Sequence, residues 1–235
     1  MTGRHVRETL FAGILGLLAG IAFHFVTGTD LAAGQQVEPL PRHELEDRLS
    51  RSVMRADVVA CGVQRQGTVT LLDPDGGDSS HTLFTNAHVV QGADSATLSG
   101  ARLGVHRGSV DTYVENRDAA TLELPPEVAD TPSGLGTGPL PAEGDRVLLA
   151  GFPGGRWTVL DARVDSVELR RGWGATSRVM VLDAPIEQGI SGGVVVDLRG
   201  RAVGLISARD PGTGYAVAYP VEELLGSAPG AAPSC

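Results

Sequence analysis

Short apolar runs that alternate with turn residues dominate the chain from residue 57 onward. The runs are rich in Val, Leu, Ile and Thr and are bounded by clusters of Gly, Pro, Asp and Ser, which is typical of strands joined by turns. No stretch of ten residues among them has the spacing of an amphipathic helix. The predicted strands are residues 58–63, 67–72, 82–85, 96–98, 102–106, 110–114, 121–124, 146–150, 157–170, 178–182, 194–197, 202–207 and 215–218.

The predicted strands fall into two sets of about six, separated by residues 125–144, which contain five prolines and repeated glycines. This composition is typical of a surface linker. We therefore expect an all-β fold of two antiparallel six-stranded β-barrels. The first barrel is predicted at residues 57–124 and the second at 145–226, with a closing helical turn at 221–225 and a tail at 227–235.

A single apolar segment at residues 9–27 precedes the barrels and approaches the roughly 20 residues that a transmembrane helix needs. Arg4 and Arg7 lie before it and Asp30 is the first charge after it. The positive-inside tendency then places residues 1–8 in the cytoplasm and the barrels outside the cell membrane. A cleaved signal peptide is the alternative, but no clean Ala-x-Ala cleavage site follows the apolar segment. We expect an uncleaved, single-pass anchor.

Residues 28–56 are predicted to be a juxtamembrane linker that contains a helix. Leu45, Leu49 and Val53 recur at every fourth position, which forms one narrow apolar stripe on a helix. We expect this stripe to dock on the body of the protein. A helix that associates with a second copy is the alternative.

Composition excludes some function classes for this chain of 235 residues. Hydrophobic residues make up 42% and charged residues 20%, which suffices for a buried core. The formal net charge is -9, and no Lys/Arg cluster is long enough to follow a phosphate backbone, so nucleic acid is not an expected partner. No pattern indicates a metal or a cofactor, and we predict neither.

A serine surrounded by glycines is the first candidate for chemistry. Gly189, Gly192 and Gly193 flank Ser191, and glycines permit the sharp turn that presents a hydroxyl group. With no bulky neighbours, the amide N–H groups of Gly189 and Ser191 are candidates to bind a developing oxyanion. An ordinary glycine-rich turn is the alternative, and this pattern alone does not decide between the two.

A histidine and an aspartate upstream favour the catalytic interpretation. His88 follows the predicted strand at 82–85, and Asp118 begins an alternating apolar run. The order His, Asp, Ser is one of the few in which a hydroxyl–imidazole–carboxylate triad occurs. An α/β-hydrolase is excluded because its histidine comes last, whereas the last histidine here, His106, precedes Ser191.

Three motifs together carry a family resemblance: Thr85-Asn86-Ala87-His88-Val89-Val90, Asp118-x-Ala120-x-Leu122 and Gly189-x-Ser191-Gly192-Gly193. Over residues 57–225 the chain resembles trypsin-like (chymotrypsin-fold) serine proteases, and most of all the HtrA and membrane-anchored bacterial branch. The resemblance implies chymotrypsin-like barrels and cleavage of protein or peptide substrates. Ser191 would be the nucleophile, His88 the general base and then acid, and Asp118 the carboxylate that orients the imidazole.

Two positions, Asp111 and Ile190, bear on the roles that this resemblance implies. Asp111 is a rival carboxylate, but it lies before the Asp-x-Ala-x-Leu match, so Asp118 is favoured. Ile190 stands where the family often has Asp or Asn, and an isoleucine cannot pair with a newly cut N-terminus. Activation by that ion pair is therefore excluded.

A catalytically silent module that binds other proteins is the second hypothesis, and the presence of all three triad residue types argues against it.

The resemblance also implies positions that bind substrate. The floor of the primary pocket would be Pro185, six residues before the serine. The wall of this pocket would be formed by Ser207, Ala208, Arg209 and Gly214. An uncharged floor predicts a small or medium apolar substrate residue rather than Lys or Arg. The backbone of the three consecutive wall residues would pair with the substrate as an added strand.

The chain has two cysteines, Cys61 in a predicted strand and Cys235 at the last position. An even count in an oxidising compartment favours a disulfide, and only one intramolecular pairing exists. We predict this bridge; the alternative is a buried Cys61 and a Cys235 that is free or paired between chains. Because the sequence stops soon after the resemblance ends, the PDZ module common in the HtrA branch is expected to be absent.

Overall fold

A computed structural model describes residues 38–74, 82–114, 116–123, 134–232 and 235. The helices and strands occur in the following order: α1 (Arg42–Ser52), β1 (Val53–Ala60), β2 (Val63–Leu72), β3 (Thr82–Thr85), α2 (Ala87–Val90), β4 (Ser95–Gly100), β5 (Gly104–Val114), β6 (Ala120–Glu123), β7 (Arg146–Gly151), a 3₁₀ turn (Pro153–Gly155), β8 (Thr158–Gly172), β9 (Ala175–Pro185), β10 (Val194–Asp197), β11 (Ala202–Arg209), β12 (Tyr215–Pro220), α3 (Val221–Leu225) and β13 (Pro229–Gly230). The closing helical turn predicted at 221–225 is α3.

The strands close into two barrels. The first has the order β4-β1-β2-β3-β6, and β5 pairs with both β4 and β6, which closes the ring; β13 pairs with β5. The second barrel is closed in the order β10-β11-β12-β9-β8-β7. Neighbouring strands in both barrels are antiparallel. The predicted pair of six-stranded antiparallel barrels is confirmed.

Each barrel has an apolar interior, and a third apolar cluster joins them. Leu83 is fully buried in the first barrel and Leu149 in the second. The third cluster contains Leu72 of the first barrel and Leu148 of the second. Leu135, from the predicted linker, belongs to the same cluster and forms a backbone bridge with Leu72. Each buried leucine contributes about 1.5–3 kcal/mol, so this shared cluster stabilises the packing of one barrel on the other.

Helix α1 docks on the body of the protein, as its apolar stripe predicted. Leu45 and Leu49 are buried in the cluster shared by the barrels. A Cβ placed on Gly200 would lie 3.2 Å from Leu45 Cδ2, so the helix lies against the turn between β10 and β11. The third residue of the stripe, Val53, is the first residue of β1 instead of a helical residue. The first barrel therefore begins earlier than residue 57.

Two predicted strands have different limits in the structure. The run 58–63 was predicted as one strand, but Cys61 and Gly62 have φ angles of 53° and 72° and form the turn between β1 and β2. The runs 102–106 and 110–114 form the single strand β5, which continues through a shift of register in its pairing with β6. Residues 107–109, between the two predicted runs, also pair with β4 and therefore continue the strand.

The predicted membrane span, residues 9–27, lies outside the described residues. So do residues 1–8, 75–81 and 124–133. Within the described ranges, no helix combines the length and the apolar character that crossing a membrane requires. The membrane anchor and its orientation stay predictions.

Candidate active site

A buried carboxylate holds the imidazole of His88. His88 lies on α2, directly after β3, and Asp118 lies in the turn that leads into β6. Asp118 Oδ1 accepts a hydrogen bond from the backbone N–H of His88 at 3.0 Å, and Asp118 Oδ2 lies 2.7 Å from His88 Nδ1. The Asp118 side chain is 3% exposed and that of His88 is 41% exposed. An Nδ1–H donated to this carboxylate leaves Nε2 able to accept a proton.

Two further residues position Asp118, and the sequence did not reveal either role. Ser207 Oγ donates to Asp118 Oδ2 at 2.7 Å, and Asn86 Nδ2 donates to the backbone carbonyl of Asp118 at 2.7 Å. Ser207 was expected in the wall of the primary pocket, but its hydroxyl points to the carboxylate. The rival Asp111 accepts a hydrogen bond from a threonine of β6 instead. The structure therefore brings Asp118, and not Asp111, to His88.

Strand β2 of the first barrel fastens the loop that carries Ser191. The Thr68 N–H donates to the Ser191 carbonyl oxygen at 2.7 Å, and Thr68 Oγ1 donates to the Gly189 carbonyl oxygen at 2.8 Å. Thr70 Oγ1 donates to the Gly192 carbonyl oxygen at 3.0 Å. Both threonines are fully buried. No motif in the sequence marked these two threonines, although their alternate spacing in a strand indicates that they share one face.

The glycines beside Ser191 are required for steric reasons. Gly189 has a φ of 97° and Gly192 a φ of 84°, a region that other residues rarely adopt. A Cβ on Gly189 would lie 2.6 Å from the Phe152 carbonyl oxygen, and one on Gly192 would overlap the Thr68 carbonyl oxygen. The loop therefore adopts the sharp turn expected from its glycines.

Ser191 lies close to α2. A Cβ on Gly67 would be 2.6 Å from Val89 Cγ1 and 3.2 Å from the Ser191 carbonyl oxygen, so the serine loop and α2 meet at this residue. Among the described residues, no hydrogen bond joins the Ser191 hydroxyl to His88, and none is donated by the N–H groups of Gly189 and Ser191. Catalytic hydrogen bonds are often long before substrate binds. Both amides are available to a ligand.

Two cavities share Ala208 and Arg209 as a common wall. The first, which we call the serine cavity, has a volume of about 590 Å³ and is lined by Gly154, Ile186, Glu187, Gln188, Ile190, Ser191, Ala208 and Arg209. Pro185 and Gly214, expected as floor and wall, line neither cavity. Pro185 is the last residue of β9 and pairs with β12. Glu187 and Arg209 give the serine cavity charges of both signs, and the apolar preference inferred from Pro185 stays a prediction.

The second cavity, which we call the histidine cavity, lies beside His88. Its volume is about 480 Å³, and its lining consists of His88, Asp118, Arg170, Arg171, Gly172, Trp173, Val179, Ser207, Ala208, Arg209, Pro211, Val217 and Tyr219. Val179, Val217 and Tyr219 are buried and make part of the wall apolar. Burial, and then the negative charge of Asp118, raise the pKa of Tyr219 above its usual value. The Tyr219 hydroxyl therefore stays neutral at physiological pH.

The turn between β11 and β12 borders the histidine cavity and is held by Asp210. Its carboxylate accepts hydrogen bonds from the backbone N–H of Thr213 at 2.9 Å and from the Thr213 hydroxyl at 3.0 Å. Arg170 forms an ion pair with it at 2.8 Å, and Gly212 donates a further backbone N–H. These donors, led by the Thr213 N–H, lower the pKa of Asp210 to about 2. Asp210 therefore links this turn to the β8–β9 hairpin.

The structure joins Cys61 and Cys235 in a disulfide, as predicted, with their Cα atoms 5.6 Å apart. Cys61 lies in the exposed turn between β1 and β2, not within a strand. Both sulfur atoms pack against Gly92, and Cys61 Sγ lies 3.6 Å from the Gln91 carbonyl oxygen, a contact without a hydrogen bond because a disulfide has no S–H. The disulfide therefore covers the turn that ends α2.

The remaining described histidines lie apart from this site. His43 is exposed on α1, and Nε2 of His106 contacts the Leu103 carbonyl oxygen. His81 lies outside the described residues. In the part of the chain that the structure describes, no three His, Cys, Asp or Glu residues are grouped to hold a metal ion.

Two antiparallel barrels that place a histidine–aspartate pair and a glycine-flanked serine loop side by side define the architecture of chymotrypsin-like proteases. A family model described as a trypsin-like peptidase domain matches residues 66–205, which is more than half of the chain. The chain therefore belongs to the trypsin-like peptidase domain family, and the resemblance in the three motifs is confirmed.

Curated relatives extend this result. The chain is 30% identical to the serine protease Rv3671c of Mycobacterium tuberculosis over 154 residues, which is 62% of this chain and 36% of the relative. It is 30% identical to the magnetosome formation protease MamE of Magnetospirillum gryphiswaldense over 205 residues, which is 84% of this chain and 25% of the relative. The chain thus spans about a third or less of the length of these relatives.

Solved structures share the fold. The active form of the M. tuberculosis Rv3671c protease superimposes with a TM-score of 0.69 at 24% identity, covering 84% of this chain and 92% of that one. The HtrA-type protease AlgW with a tripeptide superimposes with a TM-score of 0.65 at 23% identity, covering 79% of this chain and 62% of that one. At this level of identity the likeness establishes the fold alone.

Proposed function

We propose that this protein is a serine endopeptidase that uses Ser191, His88 and Asp118. The observation that carries the proposal is the carboxylate–imidazole pair, in which a buried Asp118 accepts hydrogen bonds from both the backbone and the ring of His88. Since this pair keeps Nδ1 toward the carboxylate, Nε2 is left to exchange a proton with the Ser191 hydroxyl.

The proposed reaction is acyl transfer to water. Ser191 Oγ attacks the scissile carbonyl carbon while its proton moves to His88 Nε2, and the N–H groups of Gly189 and Ser191 bind the resulting oxyanion. The C–N bond then breaks, His88 protonates the leaving amine, and the acyl group stays on Ser191. Water attacks this acyl-enzyme as His88 takes its proton. Release of the carboxylic acid returns the proton to Ser191 and restores the starting state.

Ile190 supports a serine loop that is ordered without an ion pair to a cut N-terminus. Its side chain is 1% exposed and packs in the interior of the second barrel. Its carbonyl oxygen accepts a hydrogen bond from the Gly193 N–H at 2.7 Å, which closes the turn around Ser191. Apolar burial and the bonds from Thr68 thus anchor the loop on both sides, so we propose that the enzyme needs no proteolytic activation.

The proposed substrate is an extended segment of a protein or peptide that pairs with β11. One edge of β11 is paired with β12 through Ala208 and Arg209. On the other edge, β10 pairs with β11 only as far as Leu205, so the described strands leave the edge beside Ala208 and Arg209 open. Strand addition at this edge would bring the scissile carbonyl to Ser191.

We also propose that residues 9–27 anchor the protein in the cell membrane with the protease domain on the extracytoplasmic side. The support is the apolar run with Arg4 and Arg7 before it. A membrane-impermeant reagent should label the domain in cells whose outer layers have been opened. Labelling that requires a breach of the cytoplasmic membrane would reverse this orientation.

A fluorophosphonate probe tests the proposed activity because it reacts with activated serine hydroxyl groups. The full chain should acquire one adduct, which peptide mass mapping places on Ser191. The Ser191→Ala variant should acquire none, and the His88→Ala variant should react far more slowly with its circular dichroism unchanged. A folded wild-type protein that stays unlabelled would refute the proposal.

A further inference from the structure

The histidine cavity carries positive charge that the proposed reaction does not use. Three guanidinium groups line it, those of Arg170, Arg171 and Arg209. Asp118 is the one carboxylate in this lining, and its oxygens already accept hydrogen bonds from His88. The cavity therefore has a surplus of hydrogen-bond donors and of positive charge.

The three arginines differ in how they are held. Arg170 pairs with Glu168 at 2.5 Å and with Asp210 at 2.8 Å, which fixes its guanidinium at the cavity wall. Arg171 and Arg209 are exposed, and their side chains make neither an ion pair nor a hydrogen bond with other described residues. The charge of Arg170 is thus already balanced by two carboxylates, and Arg171 and Arg209 are the two cations of this lining that are available to a ligand.

The β8–β9 hairpin brings two of these arginines to the His88 site. A Cβ on Gly174, at the hairpin tip, would lie 3.3 Å from Asn116 Oδ1, in the turn that precedes Asp118. Trp173, beside it, has a φ of 49° and is 43% exposed. The hairpin of the second barrel therefore reaches the first barrel and encloses the cavity next to the histidine.

We propose that the histidine cavity selects substrates with an acidic side chain at the second or fourth residue before the scissile bond. This inference rests on the proposed function. Successive side chains of an extended peptide point to opposite faces, so a peptide whose scissile residue enters the serine cavity directs its second and fourth side chains toward the histidine cavity. There a carboxylate accepts charge-assisted hydrogen bonds from the guanidinium forks. The buried Val179 and Val217 contact its methylene groups.

Matched peptides test this selectivity. Quenched fluorescent peptides carry Glu, Gln or Lys at the second, third or fourth position before the cleavage site, and kcat/KM is measured with the full chain at low ionic strength. Glu should exceed Gln by about tenfold at the second or fourth position, the scale of one charge-assisted hydrogen bond. At the third position, whose side chain points away, the ratio should stay below about twofold. Added salt should weaken the preference, because salt ions screen the attraction between exposed charges; the Debye length is about 10 Å at 0.1 M.

Arginine variants connect the preference to this cavity. Arg171→Gln removes a side chain that has no ion-pair partner among the described residues, so it should lower kcat/KM for the Glu peptide and with it the Glu-to-Gln ratio. Arg170→Gln should lower the ratio as well. Arg178→Gln, on β9 of the same hairpin and paired with Glu222 away from the cavity, is the control and should keep the ratio. A wild-type ratio near one, or a ratio that survives both cavity variants, overturns the inference. Failure to cleave any peptide, with no covalent adduct on Ser191, overturns the proposed function and the inference with it.

Discussion

At the scale of single residues, the site depends on the hydrogen bonds that converge on Asp118. The carboxylate accepts hydrogen bonds from the backbone and ring of His88 and from the Ser207 hydroxyl, at 2.7–3.0 Å. A carboxylate that is 3% exposed needs such partners, because an unpaired buried charge is strongly destabilising. These hydrogen bonds also restrict the imidazole ring of His88 to one orientation.

Asp118→Asn should therefore reduce kcat by about 10⁴-fold, the loss known for this substitution in a serine protease triad, because an amide stabilises the wrong imidazole tautomer. Peptide hydrolysis by the purified variant measures the effect, and circular dichroism checks the fold. Asp111→Asn is the matched control, since that carboxylate is bonded to Thr121 and not to His88. A loss of the same size in both variants would show that the Asp118 contact is not specific.

The sequence predicted the residues that come together in the site more accurately than it predicted the residues around them. His88 and Asp118 were identified because their motifs are short and ordered along the chain. The role of Ser207 was missed because its partner is 89 positions away in sequence and no local pattern marks a hydroxyl that points at a buried carboxylate. Pro185 was placed by counting six residues back from Ser191, and such a count does not show that its neighbour Ile186 lines the serine cavity instead.

At the scale of elements, β2 is the strand that connects the two barrels at the site. Thr68 is central to this connection: its hydroxyl donates to the Gly189 carbonyl oxygen at 2.8 Å and accepts the Phe152 N–H at 3.0 Å. Both partners are backbone groups of the second barrel, next to the serine loop. The backbone conformation at Gly189 therefore depends on a side chain of the first barrel.

Thr68→Val should lower the free energy of unfolding by about 1–3 kcal/mol, because it leaves buried polar groups without partners. It should also reduce kcat more than it changes KM, since the Gly189 N–H acts on the oxyanion and not on the bound substrate. Urea denaturation and steady-state kinetics measure the two effects. Thr97→Val, at an exposed position of β4, should change neither. A variant as stable and active as the wild type would contradict this role for β2.

The strands themselves were predictable from local patterns. Alternating apolar runs gave nearly every strand of both barrels, and the stripe of Leu45 and Leu49 gave α1. The hairpin turn at Cys61 was not foreseen, because the apolar residues on both sides of it resemble one continuous strand. Its positive φ is set by the pairing of β1 with β2, which local propensity does not report.

At the scale of the whole molecule, the C-terminal segment is tied to the body of the protein. The disulfide connects Cys61 of the first barrel to Cys235, across 174 positions of sequence. β13 of the same C-terminal segment pairs with β5. The segment that follows the second barrel thus returns to the first barrel and covers the turn after α2.

Cys61→Ser should destabilise the protein by up to about 5 kcal/mol, the loop-entropy estimate for a closure of this length. Denaturant unfolding without reductant measures the loss, and the Cys61→Ser, Cys235→Ser double variant should lose no more than the single one. Mass analysis of a non-reduced digest should find one peptide pair that joins the two cysteines. Two free thiols, or a dimer linked through Cys235, would contradict the bridge.

The central claim is that Ser191 and His88 act together in one catalytic step. It concerns the whole molecule because the first barrel carries His88 and the second carries Ser191. The most direct test compares peptide hydrolysis by Ser191→Ala, by His88→Ala and by the double variant. Each single change should reduce kcat by about 10⁶-fold, and the double variant should be no slower than either single one, because the two groups act in one step. A double variant whose loss equals the product of the two single losses would show that Ser191 and His88 do not act together.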